Sequence, residues 1–139
     1  MLHPKQMLKE MTAGQKVALA VKGNSEVRKI LIRSKNRIVS TKVLENPRIT
    51  DSEVEHIAKS TNVSEDVLRI VGNKREWLRQ SLVMRALVNN PKTPAGISMG
   101  LLNRLSLREL EILSKNRNVP EVLRNTSRKM YKTKLEMRR

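Results

Sequence analysis

The sequence predicts an all-α protein, and three observations support this fold class. β-Branched residues rarely alternate with polar ones over more than a few positions, so strand patterns are scarce. Apolar residues instead recur at helical spacing between frequent start and stop signals. The apolar fraction of 38% is almost wholly aliphatic, with one Trp, one Tyr and no Phe. Such a composition suits many short helices that pack through aliphatic contacts.

The starts of the helices are indicated by capping boxes and by single N-cap residues. In a capping box, Ser or Thr at the N-cap and Glu or Gln three residues later each accept a hydrogen bond from the other's backbone amide. Isolated serines before an apolar stretch are also good N-caps. The capping boxes are Thr12–Gln15, Thr50–Glu53 and Ser106–Glu109, and the single N-cap candidates are Ser25 and Ser64.

Proline and glycine indicate where the helices end. Four prolines lie between apolar segments, and Gly-Asn pairs at 23–24 and 72–73 resemble C-terminal stops. Together with the N-caps they predict about nine short helices. Their ranges are 12–22, 25–34, 37–45, 50–60, 64–72, 74–89, 94–104, 106–115 and 119–136.

Trp77 falls in the most apolar of these helices, 74–89, and is expected in the core. Arg85 lies in the same helix and is expected to pair with a carboxylate or to extend to water.

The predicted helices also repeat. The segment 39–47 matches 83–91 at a shift of 44 residues, including an Asn-Pro corner in both copies. Three units of three helices follow, and a period of about 40–47 residues is typical of HEAT and armadillo repeats. We therefore expect a right-handed α-solenoid of three repeats. It would form one domain over 12–137, preceded by a partly ordered extension over 1–11.

Particular segments resemble a known class of proteins. NPRITDSEVEHIA, NVSEDVLRI and NVPEVLRN resemble the leucine-rich-repeat-variant and HEAT-like helical-repeat proteins of bacteria. KVALAVKGNSEVRKILIRSKNRIV, NKREWL and ALVNNPKTP resemble a small group of bacterial helical-repeat proteins without an assigned biochemical role. The resemblance implies a helical-repeat scaffold, and scaffolds of this kind bind many unrelated partners. Repeat-variant proteins can carry a Cys-ligated iron–sulfur module, but this chain has no Cys to hold one.

Composition also limits the cellular setting. The absence of Cys excludes disulfides, thiol catalysis and zinc–thiolate sites. No segment approaches the run of about 20 apolar residues that a membrane span requires, and residues 1–11 lack the apolar run of a signal peptide. The expected location is the cytoplasm.

The sequence offers little support for an enzyme. His3 and His56 are the only histidines, and Glu53 with His56 lacks the further ligands that a metal site requires. No Gly-rich phosphate loop or serine-nucleophile motif is present. We expect no catalytic residues, no metal and no cofactor.

The net charge of +16 is the strongest indication of function. An excess of this size favours an anionic partner. The expected anion-binding residues are Arg28, Lys29, Arg33, Arg75, Arg79, Arg85, Arg124, Arg128, Lys129 and Lys132. With two aromatic residues, binding of nucleic acid would rely on phosphate contacts rather than on base recognition.

Charge alone leaves two main functions open. The first is sequence-independent binding of DNA or RNA, and the second is an adaptor for an acidic protein. Residues 45–66 are locally acidic, so Asp51, Glu53 and Glu55 are a possible acidic docking surface of the chain itself. Binding to a membrane surface is a third hypothesis, and a solvated basic surface without a partner is the alternative to all three.

Overall fold

A computed structural model describes residues 3–138, and all regular structure within that range is helical. Met1 and Leu2, which belong to the expected N-terminal extension, and Arg139 lie outside the described residues. A short 3-10 turn, Leu102–Arg104, follows the ninth helix. The helices are α1 (Pro4–Lys9), α2 (Ala13–Lys22), α3 (Ser25–Leu31), α4 (Arg37–Val43), α5 (Asp51–Lys59), α6 (Glu65–Asn73), α7 (Arg75–Leu78), α8 (Ser81–Asn89), α9 (Ala95–Leu101), α10 (Leu107–Ser114) and α11 (Glu121–Met137). The all-α prediction is confirmed.

All three predicted capping boxes are present, at the starts of α2, α5 and α10. In α5 the Thr50 amide donates to Glu53 Oε2 at 2.7 Å, and the Glu53 amide donates to Thr50 Oγ1 at 3.1 Å. A fourth box opens α1, where His3 Nδ1 accepts from the Lys5 amide at 3.1 Å. This box was not expected because histidine is not among the usual N-cap residues. It makes residues 4–9 helical within the segment that we expected to be only partly ordered.

Two predicted signals, one for capping and one for a helix stop, are displaced by one residue. The N-cap of α3 is Asn24, whose Oδ1 accepts from the Val27 amide at 3.0 Å, and Ser25 is the first helical residue. Gly72 lies inside α6 rather than at a stop. A β-carbon on Gly72 would overlap the side chain of Ile97 in α9, so the glycine allows these two helices to pack closely.

The helix predicted over 74–89 is two helices. The backbone is extended at Gln80, which separates α7 from α8. Trp77 is buried in α7, as expected, while Val83 and Leu87 are buried in α8. A single straight helix with apolar residues on all sides would leave one side in water. The break allows more of these residues to reach the core, and Leu82 is the large apolar residue of α8 that stays exposed.

The core is a single aliphatic cluster that extends from Leu8 in α1 to Leu123 in α11. Each helix packs mainly on helices that are close to it in the chain. The most extensive contacts are α10 with α11, α2 with α4 and α5 with α8, followed by α6 with α7 and α8 with α9; α1 packs on α3, and α2 also packs on α3. No helix within residues 3–138 is both long and apolar enough to cross a membrane.

The Asn-Pro corners are fixed by buried asparagines. The Asn46 side chain donates to the carbonyls of Ala20 and Gly23, both at 3.0 Å, at the end of α2. Asn90 lies 44 residues later and donates to the carbonyls of Ala58 and Ser60, both at 2.8 Å, at the end of α5. Each asparagine therefore satisfies carbonyls that a helix end leaves without a partner. The matching corners in the sequence have the same structural role.

A third corner, which follows α10, has a related contact. Asn116 follows α10 and donates to the backbone carbonyl of Asn89 at 3.3 Å, at the end of α8. In all three corners the asparagine Oδ1 also accepts from the amide two residues later. The sequence pattern thus indicates a recurring helix-to-corner contact rather than a loop that carries chemistry.

Candidate anion-binding surface

The acidic segment 45–66 is largely neutralised by neighbouring cations. Five of its six acids are in ion pairs, and several of these pairs are exposed. The pairs are Glu45–Lys42, Glu53–Arg28, Glu55–Lys59, Glu65–Arg69 and Asp66 with Arg37 and Arg69. Asp51, exposed in the first turn of α5, has no ion-pair partner within residues 3–138. Little unbalanced negative charge is left for the acidic docking surface that the sequence suggested.

The most buried of these pairs joins α3 to α5. The Arg28 side chain is 7% exposed, and it donates through Nε and Nη2 to the two Glu53 oxygens at 2.9 and 3.2 Å. Its Nη1 donates to the Gly23 carbonyl at 2.9 Å. Burial acts to raise the pKa of Glu53, but hydrogen bonds from Arg28 and Thr50 outweigh it and hold this pKa below its ordinary value of 4.5. Arg28 is therefore largely buried, and its guanidinium is engaged by Glu53 and the Gly23 carbonyl.

Five other cations converge on a groove formed by α1, α2 and α3. The groove has a volume of about 510 Å³, and we call it the N-terminal basic groove. Its cations are Lys5, Lys9, Lys16, Lys29 and Arg33. Glu26 is the single acid in its lining, and none of the five cations has an ion-pair partner among the described residues. The groove therefore combines five cations without ion-pair partners among the described residues with a single acid.

A second groove, of about 470 Å³, lies on the other side of α3, next to α5. It shares Glu26, Lys29 and Arg33 with the N-terminal basic groove and has an apolar floor that includes Ile32 and Ile57. Lys29 and Arg33 therefore line both grooves. The positive surface is continuous around the end of α3.

The ten cations predicted from the sequence do not form one cluster. Lys29 and Arg33 line the N-terminal basic groove, whereas Arg28 is buried beside it. Arg75 and Arg79 are exposed on α7 and line neither groove. Arg28 as an anion contact stays a prediction: its side chain is largely buried and paired with Glu53, 25 residues away, and it also lines the second groove.

The remaining predicted cations lie farther along the chain. Arg85 is 47% exposed and its Nη2 lies 3.4 Å from Glu109, which confirms the expected pairing with a carboxylate. Arg124 donates to the backbone carbonyls of Arg117 and Val119 near the start of α11. These two arginines have protein partners of their own.

Three more predicted cations lie on α11. Arg128 donates to the carbonyl of Ser114 at 3.4 Å and to Asn125 Oδ1 at 3.0 Å, while Lys129 and Lys132 are exposed. None of the three lines the N-terminal basic groove. They form part of the basic surface of α11, separate from the groove.

Sequence reasoning missed three cations of the groove: Lys5, Lys9 and Lys16. The indication was present, because Pro4 favours a first helical position and Lys5 and Lys9 are four residues apart on one helix face. The segment 1–11 was treated as an extension, so its lysines were not placed on a surface. The packing of α1 against α3 brings Lys5 and Lys9 to Lys29 and Arg33. Lys16 lies on α2, which also packs on α3.

The two aromatic residues lie away from this site. Trp77 is 6% exposed, and Lys74 Nζ lies 4.3 Å from the centre of its ring. Tyr131 donates its hydroxyl to Glu111 Oε2 at 3.0 Å, which raises the pKa of the phenol above 10.0. Within residues 3–138 no three His, Asp or Glu side chains are grouped as metal ligands would be.

Comparisons with known proteins leave the surface to be judged on its own chemistry. No family model, curated protein or solved structure matches the chain.

Proposed function

We propose that this chain is a non-enzymatic helical-repeat module that binds DNA or RNA through phosphates, without sequence specificity. The observation that carries the proposal is the N-terminal basic groove, where five cations without ion-pair partners among the described residues face one acid. Lys and Arg that neutralise phosphates release condensed counterions, and this release supplies most of the free energy of non-specific binding.

The scaffold in this proposal is a HEAT/armadillo-like solenoid of three repeats, related to the repeat-variant proteins that the sequence resembles. Two observations support it. Helices pack mainly on near neighbours in the chain, as stacked repeats do. Asn46 and Asn90, 44 residues apart, make equivalent hydrogen bonds to the ends of α2 and α5. A repeat scaffold would hold the groove on rigid helices.

The groove favours nucleic acid over an acidic protein as the partner. Protein interfaces take most of their binding free energy from a few buried anchors, in which Trp, Tyr and Arg are enriched. The lining of the N-terminal basic groove contains no Trp, Tyr or Phe, and four of its five cations are lysines. Lysine acts as a point charge and binds a phosphate without the planar, paired hydrogen bonds that arginine forms.

A salt titration tests the proposal. If five cations each neutralise a phosphate, log K should fall with log salt at a slope of about −4.5 on duplex DNA. A fourfold rise in salt should then weaken binding by about 500-fold. Fluorescence anisotropy with labelled DNA and RNA of mixed sequence would measure this slope.

Two results would contradict the proposal. One is the absence of binding at low salt, and the other is binding that does not change as salt increases. Polyglutamate is the control competitor, since it carries dense negative charge without phosphates. If polyglutamate displaces the nucleic acid at an equal concentration of charge, the acidic-protein hypothesis is favoured instead.

A further inference from the structure

We infer that the N-terminal basic groove selects duplex nucleic acid over single strands. This inference rests on the proposed function, because it concerns which form of nucleic acid the same groove prefers. It follows from what the groove contains and from what it lacks.

The groove lacks the groups that favour single strands. Proteins that prefer single strands stack exposed bases on aromatic side chains, each stack contributing about 1–3 kcal/mol. No Phe, Tyr or Trp lines the N-terminal basic groove or the groove on the other side of α3; each groove has one histidine in its lining, His3 and His56. Trp77 is buried beneath Lys74, and Tyr131 is hydrogen-bonded to Glu111 at 3.0 Å. A single strand that enters the groove would gain phosphate contacts but no stacking on Phe, Tyr or Trp.

The groove contains cations on packed helices. Lys5 and Lys9 lie on α1, which packs against α3, and Lys29 and Arg33 lie on α3 and just after its end. Such an arrangement favours phosphates that are already held in a regular array. A duplex presents such an array, whereas a flexible strand must be ordered at a cost in conformational entropy.

Charge density favours the duplex as well. Each neutralised phosphate contributes about 0.9 to the salt slope on duplex DNA and about 0.7 on a single strand. Five contacts therefore give slopes of about −4.5 and −3.5. At about 0.1 M salt the difference of one unit corresponds to duplex binding that is about tenfold tighter.

A direct comparison tests the preference. Labelled mixed-sequence single strands of about 20 nucleotides, without self-complementarity, and duplexes of the same length would be titrated with the full chain at the same low salt concentration. We expect the duplex to bind about tenfold tighter. Intrinsic fluorescence of Trp77, the single tryptophan, should not change on addition of the single strand.

A double variant tests whether the preference for duplex comes from the groove. In the double variant Lys5→Gln/Lys9→Gln, three of the five cations remain and the expected preference for duplex falls from about tenfold to about fourfold. A preference that stays at the wild-type value would overturn the assignment to this groove.

The failure of this inference can be told apart from the failure of the proposed function. Equal or tighter binding of the single strand overturns the preference for duplex but leaves nucleic-acid binding in place. Strong quenching of Trp77 by the single strand would overturn the reason given for the preference, because it would show base stacking. No binding of either form at low salt overturns both.

Discussion

The ion pair between Arg28 and Glu53 should be a main support of the first half of the protein. Replacement of Glu53 by Ala removes both carboxylate oxygens from a guanidinium that is 7% exposed, and it removes the acceptor of the Thr50 amide in the capping box. Loss of one partner of a fully buried pair costs about 3–5 kcal/mol. Glu53 is 25% exposed, so water can reach part of the vacated space, and we expect a loss of about 3 kcal/mol.

Glu109 provides a matched control. It occupies the same place in the capping box of α10 as Glu53 does in that of α5. It pairs with Arg85, 24 residues earlier in the chain, and Glu53 pairs with Arg28, 25 residues earlier. That arginine, Arg85, is 47% exposed and lies 3.4 Å away. Exposed pairs contribute less than about 1 kcal/mol, so Glu109→Ala should cost only about 1 kcal/mol including the lost capping contact.

Urea denaturation followed by far-ultraviolet circular dichroism would measure both losses. Glu53→Ala should lower the free energy of unfolding by about 2 kcal/mol more than Glu109→Ala does. The Tm of the Glu53→Ala variant should fall by about 10 °C relative to the wild type. Equal losses for the two variants, within about 0.5 kcal/mol, would refute the conclusion that burial of Arg28 sets the difference.

The same pair makes a specific prediction about pH. The pKa of Glu53 is lowered in the folded protein, so its contribution to stability is present above the unfolded pKa and is lost as pH falls through the folded pKa. The difference in stability between the wild type and Glu53→Gln should therefore shrink below pH 4.5. A difference that stays constant from neutral to strongly acidic pH would be inconsistent with an ionised Glu53 in the pair.

Three further predictions concern the corners, the helix packing and the tyrosine. Asn90→Ala leaves one buried and one partly buried carbonyl without a partner and should cost about 2 kcal/mol by urea denaturation; a cost below about 0.5 kcal/mol would contradict the role of the corner. Gly72→Ala should also destabilise by that assay, because its β-carbon overlaps α9; unchanged or increased stability would contradict close packing there. Tyr131 should ionise above pH 10.0 by ultraviolet titration and at lower pH after Glu111→Ala, and equal midpoints would show that the hydrogen bond has no effect.

Local rules of helix capping could be predicted from the sequence, and contacts between distant segments could not. The boxes at Thr12, Thr50 and Ser106 depend on two residues three apart, so the pattern is visible without the fold. The break at Gln80 is different. It allows apolar side chains on several sides of the segment 74–89 to reach the same core, which is a property of the packed protein. No local pattern in the residues around Gln80 predicts that break.

The same distinction applies to the candidate site. Lys29 and Arg33 were predicted because they share the outward side of a helix that is recognisable from its own residues. Arg28 is adjacent to Lys29, yet it is buried and pairs with Glu53. That partner lies 25 residues away, so no local pattern indicates the pair. Lys5 and Lys9 join the site only when α1 packs on α3, and Lys16 joins it only when α2 packs on α3. Total charge was evident in the sequence, but its concentration in one groove is a property of the fold.

One comparison tests the central claim that the N-terminal basic groove binds phosphates. Lys29→Gln/Arg33→Gln and Arg75→Gln/Arg79→Gln each remove two exposed cations four residues apart, and neither pair has an ion-pair partner among the described residues. Only the first pair lines the groove. The two variants therefore change net charge equally and differ in position alone.

The measurement is the affinity of each variant for duplex DNA as a function of salt. The groove variant should bind about 60-fold more weakly at about 0.1 M salt, with a slope smaller by about 1.8, while the Arg75/Arg79 variant should keep wild-type affinity. Equal losses in the two variants would mean that binding follows total charge rather than the groove. Wild-type affinity in the groove variant would contradict the site directly.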